Sequence, residues 1–475
     1  MMKPSSSPSD PGGAARIGGG ARPGPAAGPS PAGTAATSAD SGGLFDGVLA
    51  RGAVRSQVDD RAWLQAMLDA EAALARAQAR VGLLPTADAA RVTAACRTEH
   101  FDVAVLGRDA AAAGNPVVPL VRALTAAVGA DVPVHHGATS QDILDTAAML
   151  VAHRALGPLL ADLAGAAAAA ARLAETHRDT PMAGRTLLQH AVPITFGLTA
   201  AGWLTGLDTA ARRLTDLRAT RLASQLGGAA GTLAALGEHG TAVVAAFAAE
   251  VGLVEPLLPW HTERGRVTEL AGALGTAAGA IAKPARDVTL LAQTELAEVR
   301  EGGAGGHGGS STLPHKHNPI AAVSALAAAA QAPGLVATLL AAATHEHQRA
   351  AGGWHAEWRP LGELLGSVGS AAAWLRDCLE HLDVDPARMR ANLDRTGGLL
   401  LAERVSTALA PTLGRLVAHD LVRKAAAADR PFADALRDRP ELAGVDLDKL
   451  LNPAGYLGSA GAFVDRALAA YRAAR

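Results

Sequence analysis

Gly302 to Pro319 reads G-G-A-G-G-H-G-G-S-S-T-L-P-H-K-H-N-P, and Ile320 to Ala343, directly after it, carries no charged residue. Glycines without side chains leave the backbone free to move and its N–H groups open to a ligand. Ser310, Ser311, His315, Lys316 and Asn318 then place polar chemistry at close spacing. A flexible linker with a turn at Leu313-Pro314 would explain the glycines. It would not explain two serines, a lysine and an asparagine within nine residues, between long apolar helical segments. The order of residues does not match G-x-x-x-x-G-K-S/T, which disfavours a phosphate-cradling loop.

Composition points the same way. The chain has 475 residues, enough for more than one domain and a large core; 49% are hydrophobic, but only 3% are aromatic. An alanine- and leucine-rich sequence favours closely packed helices over sheets, so the expected fold is all-α. A net charge of −2 offers no basic field for nucleic acid. Two cysteines, Cys96 and Cys378, without C-x-x-C or neighbouring histidine pairs, argue against a disulfide framework and a zinc site, and point to a reducing cytoplasm. No metal or cofactor is expected.

Residues 1–42 are Pro, Gly, Ser and Ala with hardly any large apolar side chain, and read as a disordered tail. From Asp59-Asp60, a helix start, Trp63, Leu64, Met67, Leu68 and Leu74 recur at helical spacing until Gly82 and Pro85. Glu71 shares that face and reads as a satisfied, partly buried carboxylate. Pro158 to His177, Leu198 to Leu222 and Ile320 to Ala343 are each long enough for a helix of about 30 Å or more. The uncharged Ile320–Ala343 segment is mostly alanine, contains Pro333 and lacks flanking basic clusters. It therefore reads as the centre of a bundle shared between subunits rather than a membrane span.

Three further segments carry polar chemistry. Val132 to Thr146, V-P-V-H-H-G-A-T-S-Q-D-I-L-D-T, places hydroxyls at a helix start, where a carboxylate would be held. A plain Ser140 cap would leave His135, His136 and Thr139 unused. Gly184 to Gly197, G-R-T-L-L-Q-H-A-V-P-I-T-F-G, brings Gln189 and His190 to one turn. His345 to Trp358, H-E-H-Q-R-A-A-G-G-W-H-A-E-W, sets Arg349 before two tryptophans, placing a guanidinium near a rigid apolar wall.

The loop resembles the signature of the fumarase/aspartase superfamily, G-S-S-x-M-P-x-K-x-N-P, through Gly309, Ser310, Ser311, Pro314, Lys316, Asn318 and Pro319, with Leu313 in place of methionine. The first segment resembles H-x-G-x-T-S-x-D of the same superfamily through His135, Gly137, Thr139, Ser140 and Asp142. The second resembles G-R-T-H, with Leu187 where a leaving-group acid often stands. The third is similar to E-H-E-R-A-A-G-x-W-x-x-E-W of the 3-carboxy-cis,cis-muconate cycloisomerase subgroup, which nitrosuccinate lyases also resemble. Gln348 replaces its glutamate, and His317 replaces the arginine usual in the loop.

The resemblance, over about residues 44–400, implies a three-domain protein: an N-terminal helical domain over 43–146, a central bundle over 147–385 holding the loop 302–319, and a C-terminal helical domain over 386–475. It implies a homotetramer with active sites shared between subunits. It also implies Ser310 as the base with Ser311 as the alternative, Lys316 and His190 as further catalytic groups, and His135, Thr139, Ser140, Gln189, Asn318 and Arg349 around a small carboxylate substrate. Removing a proton beside a carboxylate creates a dianion, which fixed cations and N–H donors must stabilise. Leu187 then disfavours basic leaving groups, hence adenylosuccinate or argininosuccinate cleavage. Expulsion of nitrite from nitrosuccinate and lactonisation of a carboxymuconate remain. A non-catalytic structural homologue is the alternative of another class, and the intact serine, lysine and asparagine count against it.

Overall fold

The computed structural model describes residues 43–302, 313 and 316–474. The tail over 1–42 and both serines of the loop, Ser310 and Ser311, lie outside them. From Leu44 onward the chain forms one body.

Helix α1 (Asp60–Arg80) starts where the Asp59 carboxylate accepts the Ala62 N–H at 2.8 Å, and buries Leu64, Met67, Leu68 and Leu74. Helix α2 (Ser140–Thr176) has 37 residues and is about 55 Å long at 1.5 Å per residue. Pro158 lies inside it without ending it. Leu156, Leu159 and Leu163 around that proline are fully buried, and each contributes about 1.5–3 kcal/mol, enough to offset a missing hydrogen bond. Alanines at 147, 152, 155, 166 and 170 are buried along the same helix. Their small side chains let neighbouring backbones approach closely.

Helices α3 (Phe196–Thr220), α4 (Gly265–Leu291), α5 (Ile320–Ala329), α6 (Ala332–Ala342) and α7 (Gly353–Glu380) complete the bundle. α2 packs against α3 and α7, α4 lies against α3, and α5 and α6 lie against α7. The segment Ile320–Ala343 is thus two helices, broken at Ala330-Gln331 because Pro333 supplies no N–H and its ring opposes a preceding helical turn. By length and composition, Ser140–Thr176 and Ile320–Ala342 could cross a membrane, but 44% and 39% of their most apolar stretches are already buried within this chain.

The all-α expectation holds, with two small exceptions among the described residues. β1 (Pro181–Thr186) pairs antiparallel with β2 (Gln189–Thr195) just after α2, and β3 (Val299–Glu301) pairs with β4 (Leu382–Val384) just after α7. Near the C-terminus Val405, Leu409, Leu421, Phe432 and Leu436 form a separate apolar cluster. The last helix, Ala460–Ala473, returns to α3 and α2.

Candidate active site

The first motif forms a tight turn ahead of α2. His135 and Gly137 both have left-handed backbones, φ +60° and +72°. A Cβ at Gly137 would lie 2.4 Å from Leu236, so only glycine fits there. The Gln78 side chain donates to the His136 carbonyl at 2.7 Å, and His135 Nδ1 donates to Glu71 Oε1 at 2.6 Å. Glu71 is 1% exposed. Burial alone would lower the His135 pKa; the Glu71 carboxylate outweighs it, and Asp142 adds to the effect, so His135 sits above the ordinary histidine value.

Asp142, 0% exposed, fixes this turn against the rest of the protein. Its Oδ2 accepts the N–H groups of Thr139 and Gly228, each at 2.9 Å. Its Oδ1 accepts Gly227 N–H at 3.0 Å and His261 Nε2 at 2.6 Å. Four donors on one carboxylate lock the Thr139-Ser140 helix start to the Gly227-Gly228 loop. Arg349 joins the same group by donating to the carbonyls of Gly228, at 2.6 Å, and Ala229, at 3.1 Å.

The guanidinium held inside the bundle is Arg264, not Arg349. It bridges Asp145 (2.8 Å) and Glu357 (2.5 Å), both buried, while the Trp354 indole N–H donates to Asp145 at 3.0 Å. Trp354 and Trp358 pack edge to face with centroids 4.9 Å apart. The chain reverses at His347 (φ +46°) and Gly352 (φ +118°), and Arg349 lies between those reversals, against the 228–229 loop.

The second motif is the β1–β2 hairpin. Leu187 and Leu188 form its two-residue tip with φ +52° and +64°, conformations that leucine rarely adopts. Leu187 is 97% exposed. Gln189 is exposed beside the tip, and His190 is half-buried and paired across the ladder with Arg185. Burial, then the Arg185 charge, holds the His190 pKa below the ordinary value, with Glu298 opposing. Arg185 grips the fully buried Glu298 with two bonds, at 2.6 and 3.0 Å, and Asn392 donates to the same carboxylate at 2.8 Å. This ties the hairpin to the strand that leads into the loop.

At the loop, Lys316 is exposed and its N–H donates to the Leu313 carbonyl at 3.0 Å. Asn318, half-buried, gives its carbonyl to Ile320 N–H at 2.9 Å. Glu301, the last residue before the loop, accepts the N–H groups of Ala321 (3.0 Å) and Ala322 (2.7 Å) just after it.

The expected residues therefore fall into two groups. His135, Thr139, Ser140 and Arg349 gather at the start of α2. Gln189 and His190 lie beyond its other end, where Phe196 N–H bonds to Thr180 and Gly197 N–H to His177. Lys316 and Asn318 belong with that second group, through Glu301, β4 and the Arg185–Glu298 pair. About 55 Å of helix separates the two groups within one chain.

Sequence reasoning missed Glu71 as a partner of His135, together with His261, Arg264, Glu298 and Glu301. Only Glu71 carried a signal, as a carboxylate on an otherwise apolar helix face.

A family model described as "Lyase" matches residues 49–334, and one described as "Adenylosuccinate lyase C-terminus" matches residues 398–467. The chain is 49% identical over 443 residues to the 3-carboxy-cis,cis-muconate cycloisomerase of Pseudomonas aeruginosa, covering 90% of this chain and 96% of that one. It is 48% identical over 454 residues to the nitrosuccinate lyase of Streptomyces davaonensis, covering 91% and 95%. The crystal structure of 3-carboxy-cis,cis-muconate lactonizing enzyme from Pseudomonas putida matches with a TM-score of 0.85 at 44% identity, over 90% of this chain and 99% of that one.

Proposed function

The chain belongs to the lyase family of the fumarase/aspartase superfamily, and from that premise we propose that it removes a proton beside a carboxylate and expels a weakly basic anion. The substrate is nitrosuccinate, giving fumarate and nitrite, or a 3-carboxymuconate, in which a carboxylate adds to or leaves carbon. With nitrosuccinate the C–H bonding pair becomes the new C=C bond as the C–N pair departs with nitrite. With 3-carboxymuconate the step runs in the opposite sense, a C=C pair taking up a proton on carbon as a carboxylate oxygen forms the C–O bond. Ser310 takes the proton in the first case and returns it in the second, with Ser311 as the alternative, while Lys316 and Asn318 face the dianion in both. Thr139, Ser140, His135 and Arg349 hold a second carboxylate.

The observation that carries this reading is the absence of a strong acid at the hairpin. Leu187 occupies the tip, and His190, with its lowered pKa, is mainly neutral at pH 7. A neutral imidazole can orient a carboxylate or nitro group but is a poor proton donor, so the hairpin suits a leaving group that departs as an anion.

Assembly follows from the same geometry. Because the two groups of residues lie at opposite ends of α2, one substrate can meet both only if different chains supply them. We therefore read the protein as a homotetramer with shared sites. The exposed Leu187-Leu188 tip and the incompletely covered α5–α6 surface support this. Free, buried Cys96 and Cys378 agree with a reducing cytoplasm.

The purified protein is to be assayed for fumarate and nitrite formation from nitrosuccinate, and for loss of 3-carboxymuconate absorbance. Turnover of one substrate assigns it. Cleavage of adenylosuccinate or argininosuccinate with neither of these consumed would overturn the reading.

A further inference from the structure

We infer that Glu71 is a positioning residue for His135, holding its ring by Nδ1 and supporting a positive charge on it, so that anion binding at the first motif is proton-linked. The inference rests on the proposed function only in taking the anion to be the substrate.

Three observations carry it. Glu71 lies on the apolar face of α1 among Met67, Leu68 and Leu74, yet it is 1% exposed and its Oε2 has no hydrogen-bond partner among the described residues. A buried carboxylate with one partner is costly unless that partner carries the opposite charge. A glutamine would accept the same hydrogen bond at lower desolvation cost, so what the carboxylate adds at this position is its charge.

Second, the Nδ1–Oε1 distance of 2.6 Å is that of a charge-assisted bond. With Nδ1 engaged, Nε2 has no partner among the described residues, on a side chain 17% exposed. Third, His135 adopts φ +60°, a left-handed backbone that histidine enters more readily than most non-glycine residues, in the turn that Asp142 fixes. That turn delivers the ring to the start of α2, whose positive dipole end also favours an anion.

The titratable and charged groups around His135 are Glu71 from α1, Asp142 from α2, and beyond Asp142 the His261 ring and the Arg349 guanidinium. Asp142 is already satisfied by four donors. Glu71 is therefore the anion available to balance a proton on His135.

The test is histidine titration by NMR on the intact, ¹³C-histidine-labelled protein without substrate, with His135→Asn assigning the signal. Asparagine tolerates the left-handed backbone at that position. The wild-type His135 midpoint should lie above that of an ordinary histidine, and Glu71→Gln should lower it by about one unit or more, as loss of an adjacent opposite charge does. Glu71→Asp should restore part of the shift. A folded Glu71→Gln protein with an unmoved midpoint overturns the proposal.

With whichever substrate is turned over, KM should rise as pH passes through that midpoint while kcat changes little, and in Glu71→Gln the rise should begin at correspondingly lower pH. A merely structural Glu71 would lower stability and leave both midpoints in place. Should Glu71→Gln not fold, the wild-type protein decides, since a His135 midpoint at or below that of an ordinary histidine overturns the charge coupling. Failure of every candidate substrate would count against the proposed function alone, because the titration reads the pair without turnover.

Discussion

Glu301 Oε1 accepts the backbone N–H of Ala322 at 2.7 Å, so the residue that enters the Gly302–Pro319 loop also caps the helix that leaves it. The second carboxylate oxygen takes the Ala321 N–H at 3.0 Å. A negative charge on the first free N–H groups of a helix satisfies them and complements the helix dipole. The two ends of the loop are thereby held together at α5.

Glu301→Ala should accordingly lower stability by about 0.5–2 kcal/mol, the usual cost of removing a helix cap. It should also lower kcat more than KM, because the loop that carries Lys316 and Asn318 loses its fixed base. Urea unfolding and steady-state kinetics on the same preparation check both; an unchanged kcat would show that the loop needs no such anchor.

Assembly gives a second prediction. Light scattering at micromolar concentration should return four copies of the 47.8 kDa chain. Two inactive variants, Lys316→Met and Arg349→Met, refolded or co-expressed together, should regain activity, because some sites in a mixed tetramer combine intact ends from different chains. An equal mixture should reach roughly a quarter of wild-type activity if each site draws the two ends from separate subunits. No recovery in verified mixed tetramers would place both residues of a site in one chain.

Much of this was legible in local patterns. Asp59 predicts the start of α1, and the loop and first-motif residues stand in short contiguous runs whose chemistry can be read directly. Periodicity did not reveal that Pro333 splits Ile320–Ala343, whereas Pro158 is absorbed within α2. The difference lies in packing: Pro158 sits where fully buried leucines hold the helix on both sides, a tertiary fact. His261 and Asp142 are 119 residues apart, and Arg264 and Glu357 are 93 apart. Their pairing depends on the bundle geometry, and no local spacing marks either histidine or arginine as a partner.

Asp142→Asn offers a third prediction. Asparagine replaces one acceptor oxygen by an NH₂ group facing N–H donors, so at least one of the four bonds is lost and a buried donor is left unpaired. The cost should be on the order of 3 kcal/mol in unfolding free energy. KM should rise more than kcat falls, because the loosened Thr139-Ser140 turn is where the proposed function places the substrate carboxylate. An increase confined to kcat effects would mean that this turn does not bind substrate.

The fourth prediction concerns pH. His135 has a folded pKa above its unfolded value near 6.5, so it binds its proton more tightly when folded. Its contribution to stability is fully present below about pH 6.5 and is lost as pH rises through the folded value. In His135→Asn, the fall in unfolding free energy over that window should be smaller than in wild type. Equal slopes in the two proteins would contradict the raised value.

The last prediction weighs His190 against Lys316. The His190 pKa is lowered chiefly by burial and then by Arg185, and its ring is mainly neutral at pH 7, so replacement by Asn keeps a hydrogen bond and removes little proton donation. Lys316 supplies a cation on the loop, where the substrate's second negative charge would develop as the proton leaves. Loss of one preorganised donor costs about 10²–10³ in rate, and loss of the charged one should cost at least that much. Lys316→Met should therefore depress kcat far more than His190→Asn, with His190→Asn acting mainly on KM. The opposite order would mean that the leaving group requires a proton after all. It would then have to be a base stronger than nitrite or a carboxylate, and the amine- and nucleotide-releasing lyases would return as the better description of this chain.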